Sequence, residues 1–109
     1  MILLAVGCSA WGQAATGTAD DVRIGHHLSI LLCTACHVAA ADQPYAPTLT
    51  PPAPSFASIA QRADVDADSL KHFLRTTHEG LDSKKGMPNP GLADFQATAI
   101  VAYLLSLRK

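Results

Sequence analysis

Two cysteines one helical turn apart, with a histidine directly after the second, occur once in this chain, as Cys33-Thr34-Ala35-Cys36-His37. C-x-x-C-H is the attachment signature of c-type haem, in which each sulfur forms a thioether with a haem vinyl group. On a helical turn both sulfurs stand on one face, and His37 follows in position to bind the iron from below. A second axial ligand is suggested by Met87, the sole methionine besides Met1, in Gly86-Met87-Pro88-Asn89-Pro90. The prolines stiffen a non-helical loop, as a ligand held against iron requires. A thioether is soft and neutral, so it favours ferrous iron and raises the potential relative to a second imidazole. It also closes the sixth position, which suits electron transfer and not catalysis. His26, His27, His72 and His78 are the rival sixth ligands, and any of them would lower the potential.

Other uses of the cysteines are weaker. C-x-x-C is also a thiol-disulfide redox motif, but the alternating strand and helix pattern that accompanies it is missing. Zinc would need two further ligands at fixed spacing, and the chain has no second C-x-x-C or H-x-x-x-H pair. The third cysteine, Cys8, lies in Ala5-Val6-Gly7-Cys8, a loose match to a bacterial lipid-attachment site behind a very short apolar run. The plainer expectation is that Cys8 departs with a leader.

That leader is read from the first residues. Ile2-Leu3-Leu4-Ala5-Val6 followed by small residues up to Ala14-Ala15 has the form of a signal peptide over residues 1–15, although the usual basic start is absent. It is too short to span a bilayer, and no second hydrophobic span follows. The expected mature domain is 16–109, exported to a bacterial periplasm, an oxidising compartment in which a Cys33–Cys36 disulfide is the natural competitor to haem attachment. Eight Lys and Arg against nine Asp and Glu give a formal net charge of -1, with no basic block for nucleic acid or membrane. Tyr45 and Arg62 are candidate partners for the haem propionates, and Lys84 with Lys85 a candidate docking patch beside the methionine loop.

The elements that must position these residues read as helices. Asp20 and Asp21 place negative charge at the start of a first helix with Val22, Ile24, Leu28, Leu31 and Leu32 as its apolar face. Pro47, Pro51, Pro52 and Pro54 exclude helix and central strand from the loop after His37. A short helix over 55–62 takes Ser55 as cap, and another carries Leu70, Phe73 and Leu74 toward Gly80. From Leu81 to Gly91 the chain is non-helical. A terminal helix then presents Phe95, Ala99, Ile100, Tyr103, Leu104 and Leu107. With few aromatic residues, such a domain has a small core of its own, and the haem would supply apolar volume. The apoprotein is therefore expected to be poorly folded.

The order of these features resembles class I cytochrome c over residues 19 to 109: an N-terminal helix with Gly25 eight residues before Cys33, the attachment motif, a proline-bearing loop, a methionine loop and an aromatic C-terminal helix. The resemblance implies an all-α fold of three to five helices wrapped around one haem c, bound covalently through Cys33 and Cys36. It implies that the first and last helices cross, Gly25 allowing close approach and Tyr103 or a neighbour packing in the contact. It further implies that a loop proline gives its carbonyl to the free nitrogen of His37, for which Pro54 is the first choice and Pro47 the rival. The function implied is carriage of one electron at a time between donor and acceptor redox proteins, with no substrate of its own. A haem subunit of a periplasmic dehydrogenase or oxidase is the neighbouring alternative. A haem enzyme or sensor with an open iron site is a more distant one.

Overall fold

Thr18 starts the first helix by a reciprocal cap: its Oγ1 accepts from the Asp21 N–H at 3.1 Å, and Asp21 Oδ2 accepts from the Thr18 N–H at 3.1 Å. The computed structural model describes residues 17–76 and 86–109. Cys8, Trp11, His78, Lys84, Lys85 and the leader expected over 1–15 lie outside the described residues. Within them the chain forms four helices and no strand: α1 (Ala19–Leu32), α2 (Phe56–Ala60), α3 (Ala67–Arg75) and α4 (Asp94–Ser106). The all-α expectation holds.

Caps set the boundaries of the others. Ser55 Oγ accepts from the Ser58 N–H and opens α2. Asp66 and Ser69 cap α3 reciprocally, and Gln96 Oε1 accepts from the Ala93 N–H at the entrance to α4. Helix α3 closes at Arg75, where the Thr76 N–H donates to His72 O at 3.0 Å.

Helix α4 is the centre of the fold, with α1 packed along it and α2 and α3 against other sides. Its crossing with α1 is tight because α1 presents only small residues, Gly25 and Ser29, to it. An added Cβ on Gly25 would stand 1.8 Å from the backbone oxygen of Ala99 and 2.8 Å from Tyr103 Cβ. Gly25 and Ser29 are therefore the buried residues of α1, with Val22, Leu28 and Ile30 packed at the margins. This corrects the apolar face expected of that helix: Ile24 is 43% exposed, Leu31 63% and Leu32 51%. The small residues turn inward so that the backbones can meet, which carries the larger aliphatic ones outward. On α4, Phe95 is likewise exposed, while Ala97, Val101 and Ala102 are buried beside Ala99, Ile100, Tyr103 and Leu104. A helix covered on several sides has no single apolar stripe for periodicity to find.

The far ends are tied by polar contacts. Arg108 Nε donates to Ala60 O and Nη2 to Val65 O, both at 2.7 Å, holding the C-terminus to the connection between α2 and α3. Asp94 joins α3 to α4, pairing with Lys71 at 2.8 Å and Arg75 at 3.1 Å. Lys71, as the first cause, and Arg75 hold the Asp94 carboxyl below its ordinary value of 3.8, and the bond to His26 does the same for Asp42. Depressed carboxyls stabilise the fold above their ordinary pKa and lose that contribution as the pH falls through the folded value. Melting temperature should accordingly be level near neutrality and decline below about pH 4, and Asp94→Asn should flatten that decline in a series of thermal melts.

Candidate haem-binding site

The attachment turn grows directly out of α1. Cys33 is the C-cap residue, its N–H donating to Ser29 O at 3.0 Å, and the chain continues in a tight turn in which the Cys36 and His37 N–H groups both donate to Cys33 O. This keeps the two half-buried thiols and the imidazole on one short piece of backbone. Both thiols are free. Burial, with the neighbouring Cys36 as a lesser cause, pushes the Cys33 thiol up to about 11.

The loop over 48–53 is laid against this turn. Ala35 O accepts from the N–H groups of Thr48 and Leu49, and Cys36 O from that of Ala53 at 2.8 Å. Pro54 thereby arrives beside the buried His37 ring, whose Nδ1 bonds Pro54 O at 2.6 Å. With Nδ1 committed as donor, Nε2 is the nitrogen free to bind a metal. Pro47, seven residues earlier, makes no hydrogen bond to His37 among the described residues. Phe56, at the start of α2, meets the His37 ring edge-on with centroids 5.4 Å apart.

Sequence reasoning did not find the residues that hold the loop after His37. Gln43 Oε1 accepts from the N–H groups of Ala39 at 2.7 Å and Ala40 at 3.1 Å, while its Nε2 donates to Tyr45 O at 2.8 Å. Tyr103 reaches across from α4 and donates its buried hydroxyl to Ala39 O at 2.7 Å. His26 bonds Asp42 Oδ1 at 2.7 Å and lies tilted against Tyr103 with ring centroids 5.1 Å apart. A lone glutamine six residues after the histidine was the available signal for the first of these. Tyr103→Phe leaves Ala39 O without its donor in a buried place; the expected cost is about 1–2 kcal/mol, read as a fall in melting temperature of roughly 5–10 °C for a domain of this size.

Met87 is half-buried among the non-helical residues 86–93, in which Gly86 has φ +145°. Among the rival ligands, His26 is engaged by Asp42, and His27 and His72 are exposed. Tyr45 is exposed, and Arg62 is paired with Asp64 at 2.8 Å.

Two thiols on one turn, followed by an imidazole with a single free nitrogen, form a donor set that fits covalent haem and its iron. With the helical frame around it, this defines a class I c-type cytochrome. The family model for cytochrome c matches residues 23–108, and the chain belongs to that family. It is similar to a cytochrome c-552 of Bradyrhizobium diazoefficiens, with 36% identity over 107 residues that cover 98% of this chain and 90% of the relative. No solved structure matches the chain. Membership makes this an electron-transfer protein of the kind that carries covalently attached haem c, with Cys33 and Cys36 present for the attachment. No helix among the described residues is long and apolar enough to cross a membrane.

Proposed function

We propose that the chain carries one electron at a time on a haem c attached through Cys33 and Cys36 and ligated by His37 and Met87, between donor and acceptor proteins of the periplasm, after removal of residues 1–15. The observation that carries the reading is the His37 Nδ1 bond to Pro54 O at 2.6 Å beside two free thiols on the same turn. Bound there, the haem supplies a reversible one-electron couple.

The protein's own part is to hold and tune it. Pro54 O fixes the ring and tautomer of His37 and makes Nε2 the better donor. Phe56 limits rotation of that ring. Gln43, Tyr103 and the His26–Asp42 pair brace the loop that leaves His37, so the ligand keeps its position when the charge of the site changes. A thioether from Met87 would favour the reduced state and leave no open position for oxygen or peroxide. Thiol-disulfide exchange fits poorly, because the described residues form helices only and lack the strand and helix alternation that accompanies that chemistry.

The test is spectroscopic. Protein made with a haem-attachment system should give a pyridine haemochrome of the c type and, when ferric, the far-red band of methionine-to-iron charge transfer. A haem-free product that cycles between dithiol and disulfide would end the reading.

A further inference from the structure

Met87 lies on the stretch of chain that leaves α3 at Thr76 and enters α4 after Ala93. Among its described residues, the hydrogen bonds of 86–91 are confined to one inside the segment, from the Gly91 N–H to Asn89 Oδ1 at 2.9 Å. Its firm ground lies at the ends, where Leu92 is buried in the core and the Thr76 N–H closes α3 on His72 O. Those ends are joined directly. Asp94, the first residue of α4, accepts at Oδ1 from Lys71 Nζ at 2.8 Å and from Arg75 Nη1 at 3.1 Å, and both cations stand on α3. One carboxylate thus faces two cations from the opposite end of the segment, and their pull, that of Lys71 first, keeps it ionised near neutrality.

We propose that Asp94 is a positioning residue for the Met87 ligand: through Lys71 and Arg75 it clasps the two ends of the segment that carries Met87, so that ionic strength sets how readily that ligand leaves the iron. This rests on the reading of Met87 as the sixth ligand. A segment with little bonding to the helices along its length comes away by local opening, and the free energy of that opening is set by the few contacts that hold the segment. Keeping its ends together removes open conformations in which the sulfur stands away from the iron. The bond to iron removes the same conformations, so each hold reinforces the other. Pairs as open to solvent as these are each worth a factor of about two to five, and salt weakens them. Such a contribution is minor in the stability of a whole domain, but it is felt in the opening of one short segment.

Imidazole competition on the ferric holoprotein reads this opening: the Met87 sulfur leaves the iron, an imidazole nitrogen takes its place, no electron moves, and the far-red band falls in proportion. At low ionic strength Asp94→Asn should bind imidazole about fivefold more tightly than wild type. Asp94 also lies at the positive end of α4, so Lys71→Gln/Arg75→Gln, which leaves that carboxylate in place, should do the same. Salt at about 1 M, where the screening length is about 3 Å, should tighten wild-type binding towards that of the variants and leave the variants within about twofold of their low-salt values. Arg108→Gln breaks ties elsewhere in the fold, to Ala60 O and Val65 O. It should lower the melting temperature yet leave imidazole binding within about twofold of wild type, which general loosening would not. Equal affinity in wild type and clasp variants, a wild type indifferent to salt, or an Arg108→Gln effect as large as that of Asp94→Asn would each overturn the proposal. Failure of the Met87 reading is separate, since a ferric wild type without the far-red band shows it before any imidazole is added.

Discussion

Gly25→Ala is expected to lower the melting temperature of the haem-loaded protein by about 10 °C or more. Alanine is a better helix former than glycine by about 1 kcal/mol, so on an exposed helix the same change would stabilise. At this position the new Cβ lies 1.8 Å from the Ala99 carbonyl oxygen and 2.8 Å from Tyr103 Cβ. The first obstacle is backbone, which has no rotamer to change. The helices must part or tilt, and α1 is the helix that leads into Cys33. Overpacking of this kind costs 1–3 kcal/mol or more, and a rigid obstacle puts it at the upper end, so a net loss of about 2 kcal/mol remains after the helix gain. Tyr103 moves with the crossing, and with it the bond to Ala39 O. Differential scanning calorimetry of wild type and Gly25→Ala measures the loss. An unchanged or higher melting temperature would mean that α1 and α4 do not meet at Gly25.

Residue type and spacing revealed the centre of this molecule more readily than its packing. Cys33, Cys36 and His37 announce their chemistry locally, and Ser55 announces a helix start, because each depends on neighbours within one turn. Gly25 was legible for a related reason: an isolated glycine in a helical run asks for an explanation, and close approach is the usual one. The outward face of α1 was misread. Hydropathy weighs Ile24, Leu31 and Leu32 heavily, whereas Gly25 and Ser29 carry no such weight, yet the small pair faces α4. Phe95 was drawn into the core of α4 in the same way and stands exposed. Contacts across long separations were invisible for a different reason. Tyr103 on Ala39 and His26 on Asp42 depend on where the loop after His37 runs, and no local pattern specifies that path. Resemblance put Pro54 ahead of Pro47 without a local pattern to decide between them; the bonds of Ala35 O and Cys36 O to the intervening loop bring the later one to the imidazole.

Met87→Ala should abolish the far-red charge-transfer band of the ferric protein, lower its midpoint potential by on the order of a few tenths of a volt, and let exogenous imidazole bind. The potential shift belongs within the roughly 0.8 V over which axial ligands move haem couples. Its sign follows from donor chemistry: a neutral, soft thioether stabilises ferrous iron relative to ferric, so removing it favours the oxidised form. Imidazole binding separates loss of a ligand from a general loosening, because a wild type ligated by Met87 should take up imidazole only weakly. Two further variants locate the ligand if it is a different residue. Should the wild type lack the band, His72→Ala and His78→Ala identify a histidine in its place, since removal of the true ligand alone opens the site. His37 provides the contrast. Its replacement takes away the ligand adjoining the covalent links, so attachment itself should fail, whereas Met87→Ala should yield normal amounts of haem-bearing protein. Equal haem content with an altered sixth position is the outcome that assigns Met87 to the iron, and survival of the far-red band in Met87→Ala would remove it.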